Sequence, residues 1–394
     1  MITYPRIAIR IPLLLSLILS FTLLSTRMQA DTGTCEGASI TLPFADVAAG
    51  NVFFCSIAGA FFSGLSNGTD ATHYSPAANV PREQMAAFVT RTLDQSLKRG
   101  SRRASIKQWW TPTYAADGLG LIGVGSAPQS VASDGADLWV ANFTSNSVSR
   151  VRASDGKLLE TWTGATSASG VLVARGRVFV TGSASPGQLY QIDPTQPAAP
   201  VTGTPIGNFP NEIVFDGHRV WTANGSGSVS IVTLNPLAVT TVSAGFMQLF
   251  GILYDGTNIW VADGGDGALK KLDSNGNILQ AVTVGAGPQH PAFDGTNIWV
   301  PNGNASTISV VRASTGVVLT TLTGNGLDVP TGASFDGERI LVTNINGNSI
   351  SLWKASDLSP LGSVSTGAGQ PIASCSDGLN FWITLDGTNK LARF

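Results

Sequence analysis

The chain holds little of what catalysis usually needs. Its 394 residues include three histidines and three cysteines. A thiol nucleophile, an imidazole base or a metal centre therefore has few places to form. His73, His218 and His290 are far apart in sequence. His290 follows Gln289, and Glu212 follows Asn211. Each of these two pairs stands just ahead of an apolar run that ends in Asp-Gly. A carboxylate and an imidazole that meet can serve as general base and acid. Glu212 and His290 are the candidate catalytic residues on that ground, and they work together only if the fold brings their loops face to face.

Other chemistry is poorly represented. No two cysteines have Cys-x-x-Cys spacing, and there is no glycine loop with lysine to cradle phosphate and no serine nucleophile elbow. Asp263 to Gly267 and Asp273 to Asn277 look loosely like calcium loops. Neither has the twelve-residue spacing and closing glutamate, and both read as hairpin turns. No metal ligand set and no cofactor is expected from these residues.

The elements that would position Glu212 and His290 repeat. The apolar run Leu138-Trp139-Val140-Ala141-Asn142 is written again at Val220 to Asn224, Ile259 to Asp263, Ile298 to Asn302 and Ile340 to Asn344. The turns that precede such runs fall at Asp134, Arg175, Asp216, Asp255, Asp294, Asp336 and Asp377, spaced by 39 to 42 residues. Within one unit, Ala127 to Ala132, Leu138 to Ala141, Ser147 to Val151 and Lys157 to Thr163 read as four short strands bounded by Gly, Asn, Asp or Ser. About 41 residues with four antiparallel strands make one propeller blade. Seven marks predict an all-β, seven-bladed propeller over residues 118–394. The last unit stops at its third strand, and Leu119 to Val124 lacks a blade of its own. The N-terminal strand is expected to close the last blade, which removes an exposed edge.

Such a ring places two loop sets at one mouth of its channel. The first contributes Gln129, Asn211, Glu212, Gln248, Gln289, His290, Thr331 and Gln370. The second contributes Asn142, Asn224, Asp263, Asn302, Asn344 and Asp386. This amide-rich rim is the expected ligand site, with Phe209 and Phe250 available for stacking. The competing reading is that these amides satisfy their own loops. Trp139, Trp221, Trp260, Trp299 and Trp382 hold one blade position, which Phe179 and Leu341 fill elsewhere. Strict recurrence fits packing between blades better than sugar stacking.

The units resemble the YVTN family of propeller repeats. The likeness lies in Pro-x-x-x-x-x-Asp-Gly, then Ile-Trp-Val-Ala-Asn, then Asn-Ser-Val-Ser, then Ala-Ser-x-Gly-x-Leu-Leu. NHL repeats and the virginiamycin B lyase group have similar blades. The lyase resemblance implies histidines and a glutamate from several blades around a divalent cation such as magnesium. Here His290 alone lies at the mouth, and His218 belongs to the opposite face. A magnesium or calcium ion is therefore the alternative expectation, not the first.

The N-terminal hundred residues differ. Arg6 and Arg10 precede the apolar run Ile11 to Leu24, and Ala30 offers a cleavage point. Residues 1–30 read as a secretory signal peptide, with an uncleaved anchor as the other reading. After cleavage no segment is apolar enough to span a bilayer. Cys35 and Cys55 then lie in an exported protein, where a disulfide between them is reasonable. Cys375 is expected to be buried and inert. Residues 31–97 carry Phe44-Ala45-Asp46-Val47, an apolar helical stretch from Phe53 to Phe62, Gly64, Gly68, Tyr74 to Pro76, and a second helix from Pro81. There Met85, Phe88, Val89 and Leu93 share one face. This order resembles a single S-layer homology (SLH) motif, so the unit is expected to be a small helical domain. In that family three motifs together grip cell-wall polysaccharide, and Arg82 matches the loop arginine near the ligand. One motif leaves two readings, envelope association and a structural cap. Residues 98–117 form a basic linker, either a solvated hinge or a contact for anionic polymer. Trp109 and Trp110 at its end are expected to pack against the following domain.

Charged residues are only 12% of the chain and the formal net charge is −2. That excludes the basic field a nucleic-acid binder needs. The expectation is a secreted or envelope-associated bacterial protein that binds a protein or glycan at the propeller mouth. The alternatives are a metal-assisted lyase or hydrolase and a purely structural surface protein.

Overall fold

The computed structural model describes residues 31–35, 38–62, 66, 68–82, 84–86 and 120–394. The expected signal peptide, the basic linker with Trp109 and Trp110, Gly64, and Phe88, Val89 and Leu93 lie outside them. The chain forms two compact units, Met1–Leu97 and Lys98–Phe394.

The described part of the first unit adds a β-hairpin to the expected helices. Thr32–Cys35 and Ala38–Thr41 form an antiparallel hairpin. Each strand is only four residues long, too short to leave a pattern in the sequence. One helix follows, Phe54–Phe62. A disulfide joins Cys35 of the hairpin to Cys55 of the helix. Leu42, Phe44, Val47, Phe54, Ile57 and Ala58 make the core, with Tyr74 packed beside Phe44. The Asp46 carboxylate accepts the backbone N–H groups of Tyr74 and Ser75 at 2.8 and 2.7 Å, pinning the returning loop. A helical turn begins at Arg82, where Met85 N–H donates to Pro81 O. Arg82 is exposed, and Met85 is 52% exposed rather than core. Among the described residues no helix is long and apolar enough to cross a membrane.

The second unit is a ring of seven four-stranded antiparallel sheets. In the first blade the strands are Pro128–Ser133, Asp137–Asn142, Ser147–Arg152 and Leu158–Thr163, from the axis outward. The seventh blade takes three strands from the C-terminal end and its outer strand, Gly120–Gly123, from the start of the ring. Second strands such as Asp137–Asn142 are buried on both faces, whereas in outer strands such as Leu158–Thr163 only one residue is buried. The sequence follows this gradient: Trp, Val, Ile and Ala fill the second strands, and Thr, Gln and Glu enter the fourth.

Packing is between blades. Seven apolar clusters each join one blade to the next. Trp139 packs on Val178, Val180, Tyr190 and Ile192 of the second blade, while Leu138 and Val140, on the other face, meet Trp382 and Leu391 of the seventh. Side chains alternate along a strand, so one strand seals two interfaces.

The Asp-Gly turns are tied to the tryptophans. Asp134 Oδ1 accepts the N–H groups of Ala136 and Asp137, and Oδ2 accepts Trp139 Nε1–H at 2.9 Å. The same indole bond recurs at Asp216–Trp221, Asp255–Trp260, Asp294–Trp299 and Asp377–Trp382. Two blades lack it. The second blade has lost both partners, with Arg175 and Phe179 in their place. In the sixth, Leu341 cannot donate, and Arg339 Nε–H takes Asp336 Oδ2 at 3.1 Å.

Candidate functional site

The innermost strands begin at one mouth of the ring. Four start with proline, Pro128, Pro210, Pro330 and Pro371, and Pro288 holds the same place in the fifth blade through an isolated bridge to Asn302. Ala168 and Leu249 hold the place in the other two blades. Most inner strands break register just after this residue, as at Pro128/Ser130, Pro210/Glu212 and Leu249/Gly251. Such a bulge re-aims the side chains that follow it. The second and third residues of the seven strands line an axial cavity of about 220 Å³. Its walls are Gln129, Ser130, Ser169, Asn211, Glu212, Phe250, Gln289, His290, Thr331, Ile372 and Ala373, so every blade contributes.

At the third position the ring reads Ser130, Gly170, Glu212, Gly251, His290, Gly332, Ala373. Glycine separates the two titratable residues, and this is what brings them together. A Cβ on Gly251 would stand 2.5 Å from Gln289 O and 2.9 Å from His290 Cα. Without it, Glu212 of the third blade reaches past the fourth. Its Oε2 accepts Ile252 N–H at 2.6 Å and lies 3.2 Å from His290 Nδ1. The backbone of His290 leaves its own blade to do so. It pairs in parallel with Gly332, donating to Thr331 O and accepting from Ala333 N–H. The fifth blade's inner strand is accordingly cut to Ala292–Phe293.

The pair is partly screened from water: the side chains are 24% and 26% accessible. Burial opposes charge on His290, but the Glu212 carboxylate outweighs it by charge and by hydrogen bond. His290 is held above the ordinary histidine range. With Nδ1 committed to Glu212, Nε2 is the nitrogen left for a ligand. On the rim, Asp386 accepts Gln129 Nε2–H at 3.2 Å. Burial pushes its carboxyl up, against that hydrogen bond.

The cavity thus unites Gln129, Glu212, Gln289 and His290 from the sequence-derived rim, with Asn211, Thr331 and Phe250. Glu212 and His290 are neighbours two blades apart, not groups facing across the mouth. Gln248 and Gln370 do not line the cavity. They sit before the first strand residue and are exposed, while Phe250 and Ile372 hold the lining position. Phe209 is also outside it. Ser130, Ser169, Ile372 and Ala373 were missed. Counting from the strand-initial proline, rather than from the Asp-Gly turn, would have found Ser130, Ile372 and Ala373, whereas Ser169 follows Ala168 in a blade without that proline.

The second loop set is corrected more sharply. Asn142, Asn224, Asp263, Asn302 and Asn344 are all 0% exposed and face no ligand. Each asparagine donates Nδ2–H bonds to the third strand of its own blade. Asn142 reaches Ser147 and Ser149, Asn224 reaches Ser228 and Ser230, Asn302 reaches Thr307 and Ser309, and Asn344 reaches Ser349 and Ser351. The clue was present: strand alternation puts Asn142 on the face of Val140 and Leu138. In the fourth blade Asp263 and Lys270 replace the pair, 2.7 Å apart. Burial disfavours both charges. Backbone N–H groups of Gln248 and Met247, with Lys270, nevertheless hold Asp263 below the usual carboxylate range. Asp263 and Asp266 in turn hold Lys270 above the usual lysine range.

His218 lines a separate groove of about 460 Å³ between the third and fourth blades, with Arg219, Tyr254 and Asp273, at the Asp-Gly end of the strands. Among the described residues no three His, Cys, Asp or Glu side chains converge to hold a metal ion. The axial cavity supplies one carboxylate and one imidazole. That donor set does not fit a centre built from several histidines.

No family model matches the chain, and no curated protein matches it in sequence. Solved structures match its fold. A streptogramin B lyase superposes with a TM-score of 0.61 at 14% identity, over 70% of this chain and 96% of the lyase. Virginiamycin B lyase from Staphylococcus aureus gives 0.59 at 15% identity, over 70% and 98%. The WD40 propeller domain of Doa1 gives 0.60 at 12% identity, over 70% and 95%. The fold is thus a seven-bladed propeller with two lyases and a WD40 domain among its structural neighbours.

Proposed function

We propose that this protein is an exported bacterial binding propeller that takes a protein or glycan partner at the axial mouth. The observation that carries the reading is the axial cavity, where every blade supplies lining residues and most of them are polar. A packed spacer has no need of a polar hollow at its axis. The blades follow the YVTN repeat pattern. The N-terminal unit is assigned as an SLH-like module, with exposed Arg82 as its contact for wall polysaccharide. Secretion, or retention at the envelope, follows from the signal-like leader and from a surface poor in charge.

The test is binding by the full secreted chain to an array of envelope glycans and to solubilised envelope proteins. Saturable binding that Phe250→Ala and Glu212→Gln weaken at least tenfold supports the reading. Binding that ignores both substitutions, or no binding at all, counts against it.

A second reading is favoured by one observation, the 3.2 Å contact between Glu212 and His290. A histidine oriented by a carboxylate, with Nε2 open to the cavity, is equipped for proton transfer in a lyase or hydrolase reaction. Turnover of any lactone, ester or glycoside that His290→Gln abolishes, in protein of unchanged thermal midpoint, would establish it.

A further inference from the structure

The polar lining of the axial cavity is one-sided. Gln129 donates Nε2–H to Asp386, Asn211 donates Nδ2–H to Leu249 O at 2.8 Å, and Gln289 donates Nε2–H to Gly287 O at 3.4 Å. Each partner is a carboxylate or carbonyl oxygen, which can only accept. The three amides are therefore fixed with nitrogen toward protein, and Gln129 Oε1, Asn211 Oδ1 and Gln289 Oε1 have no donor among the described residues. Two lining hydroxyls spend their protons in the same way, while Ser130 Oγ accepts Val171 N–H at 3.4 Å. Ser169 Oγ–H donates to Pro210 O at 2.6 Å and Thr331 Oγ1–H to Ile372 O at 2.9 Å. Glu212 engages Ile252 and His290 through Oε2, which leaves Oε1. Acceptors thus outnumber donors around a hollow that also presents the ring of Phe250.

Resting on the binding role above, we infer that the axial site recognises an alkylammonium group: the side chain of a lysine, or the free amine of an amino sugar. An ammonium carries three donors and no acceptor, the complement of this lining. The Glu212 carboxylate supplies the counter-charge, and the Phe250 ring an apolar face that attracts cations. A cavity of about 220 Å³ admits one such group and not a whole saccharide chain. The rest of the partner therefore stays outside the mouth.

The test uses the full chain and four probes: Nα-acetyl-lysine methylamide, methyl glucosaminide, and the N-acetylated form of each. Affinities are measured by calorimetry at pH 8 and low salt. A charge-assisted hydrogen bond is roughly twice as strong as a neutral one, so the amines should bind at least about tenfold tighter than their acetylated forms. Glu212→Gln should erase that preference. Gln289→Glu, which adds a second carboxylate, should strengthen amine binding about tenfold, a gain that misfolding cannot mimic. Preference for the lysine probe marks a protein partner, and preference for the glucosaminide an amino sugar. Equal affinity for acetylated probes, or amine binding indifferent to both substitutions, overturns the assignment. The binding role survives that failure if envelope components are still retained on the array, and falls with it if they are not.

Discussion

Asp263 and Lys270 offer a test that the protein has already run in its other blades. Four blades fill these two positions with asparagine and serine, and the fourth uses an ion pair that is 0% and 3% exposed. Asp263→Asn leaves a buried ammonium with Asp266 and Gly245 O as its remaining partners. Breaking a buried pair costs about 3–5 kcal/mol, and the surviving Asp266 places this case near 3. Lys270→Ser leaves the carboxylate its N–H donors from Met247, Gln248 and Gly265. That loss is nearer 2 kcal/mol, a typical value for an unmatched buried charge plus lost packing of the stem. The double variant restores the asparagine–serine arrangement and removes both charges at once. Its cost should fall to about 1–2 kcal/mol, set by the space the lysine stem vacates. The singles sum to about 5, so the coupling is about 3–4 kcal/mol. Urea unfolding followed by tryptophan fluorescence, with the slope unchanged, measures all four corners of the cycle. A double variant as unstable as the sum of its singles would refute the reasoning. Ligand affinity should be unchanged in the double variant, because Asp263 holds the blade and not the ligand.

Three further outcomes follow from the geometry. Gly251→Val should push His290 away from Glu212 and lower ligand affinity more than tenfold, since its Cβ would meet backbone at 2.5 Å; calorimetry on folded protein checks this. His290 is raised above its ordinary value by Glu212, so its contribution to stability is complete below about pH 6.5 and is lost as pH rises through the raised value. The thermal midpoint of Glu212→Gln should then lack that decline, while amine binding moves the opposite way and strengthens as the imidazolium discharges. Trp260→Phe should cost about 2 kcal/mol by orphaning Asp255 Oδ2, and Trp299→Phe about 1 less, because Asn297 still donates to Asp294 Oδ2; paired denaturation curves decide it.

The ring was legible because its evidence is periodic. Marks at 39 to 42 residues fix the blade count, and a last unit one strand short calls for Gly120–Gly123. The site was legible only in part, because it depends on side-chain direction near strand ends. Asn302 and Gln289 look alike as loop amides. One faces the Ser309 hydroxyl inside the blade and the other lines the axial cavity. The bulge after each strand-initial residue decides which side chains turn inward, and no residue type announces it. The meeting of Glu212 and His290 was hidden for another reason. It depends on a glycine in the blade between them, and an absent side chain is a weak signal in a chain with 45 glycines. In the N-terminal unit the short hairpin gave no pattern to read.

The seventh blade has a consequence for how the protein is made. Gly120 pairs with Arg393 and Gly123 with Lys390, so the first strand of the ring waits for the last to be synthesised. Contacts this distant in sequence form slowly, because a long loop must close before they are rewarded. During synthesis the growing chain carries a set of finished blades with two bare ends and no means of joining them. Closure of the ring is therefore decided by the strand Lys390–Arg393. An emerging chain remains a substrate for proteases, chaperones and like chains until Lys390–Arg393 appears, and then it becomes an object without ends.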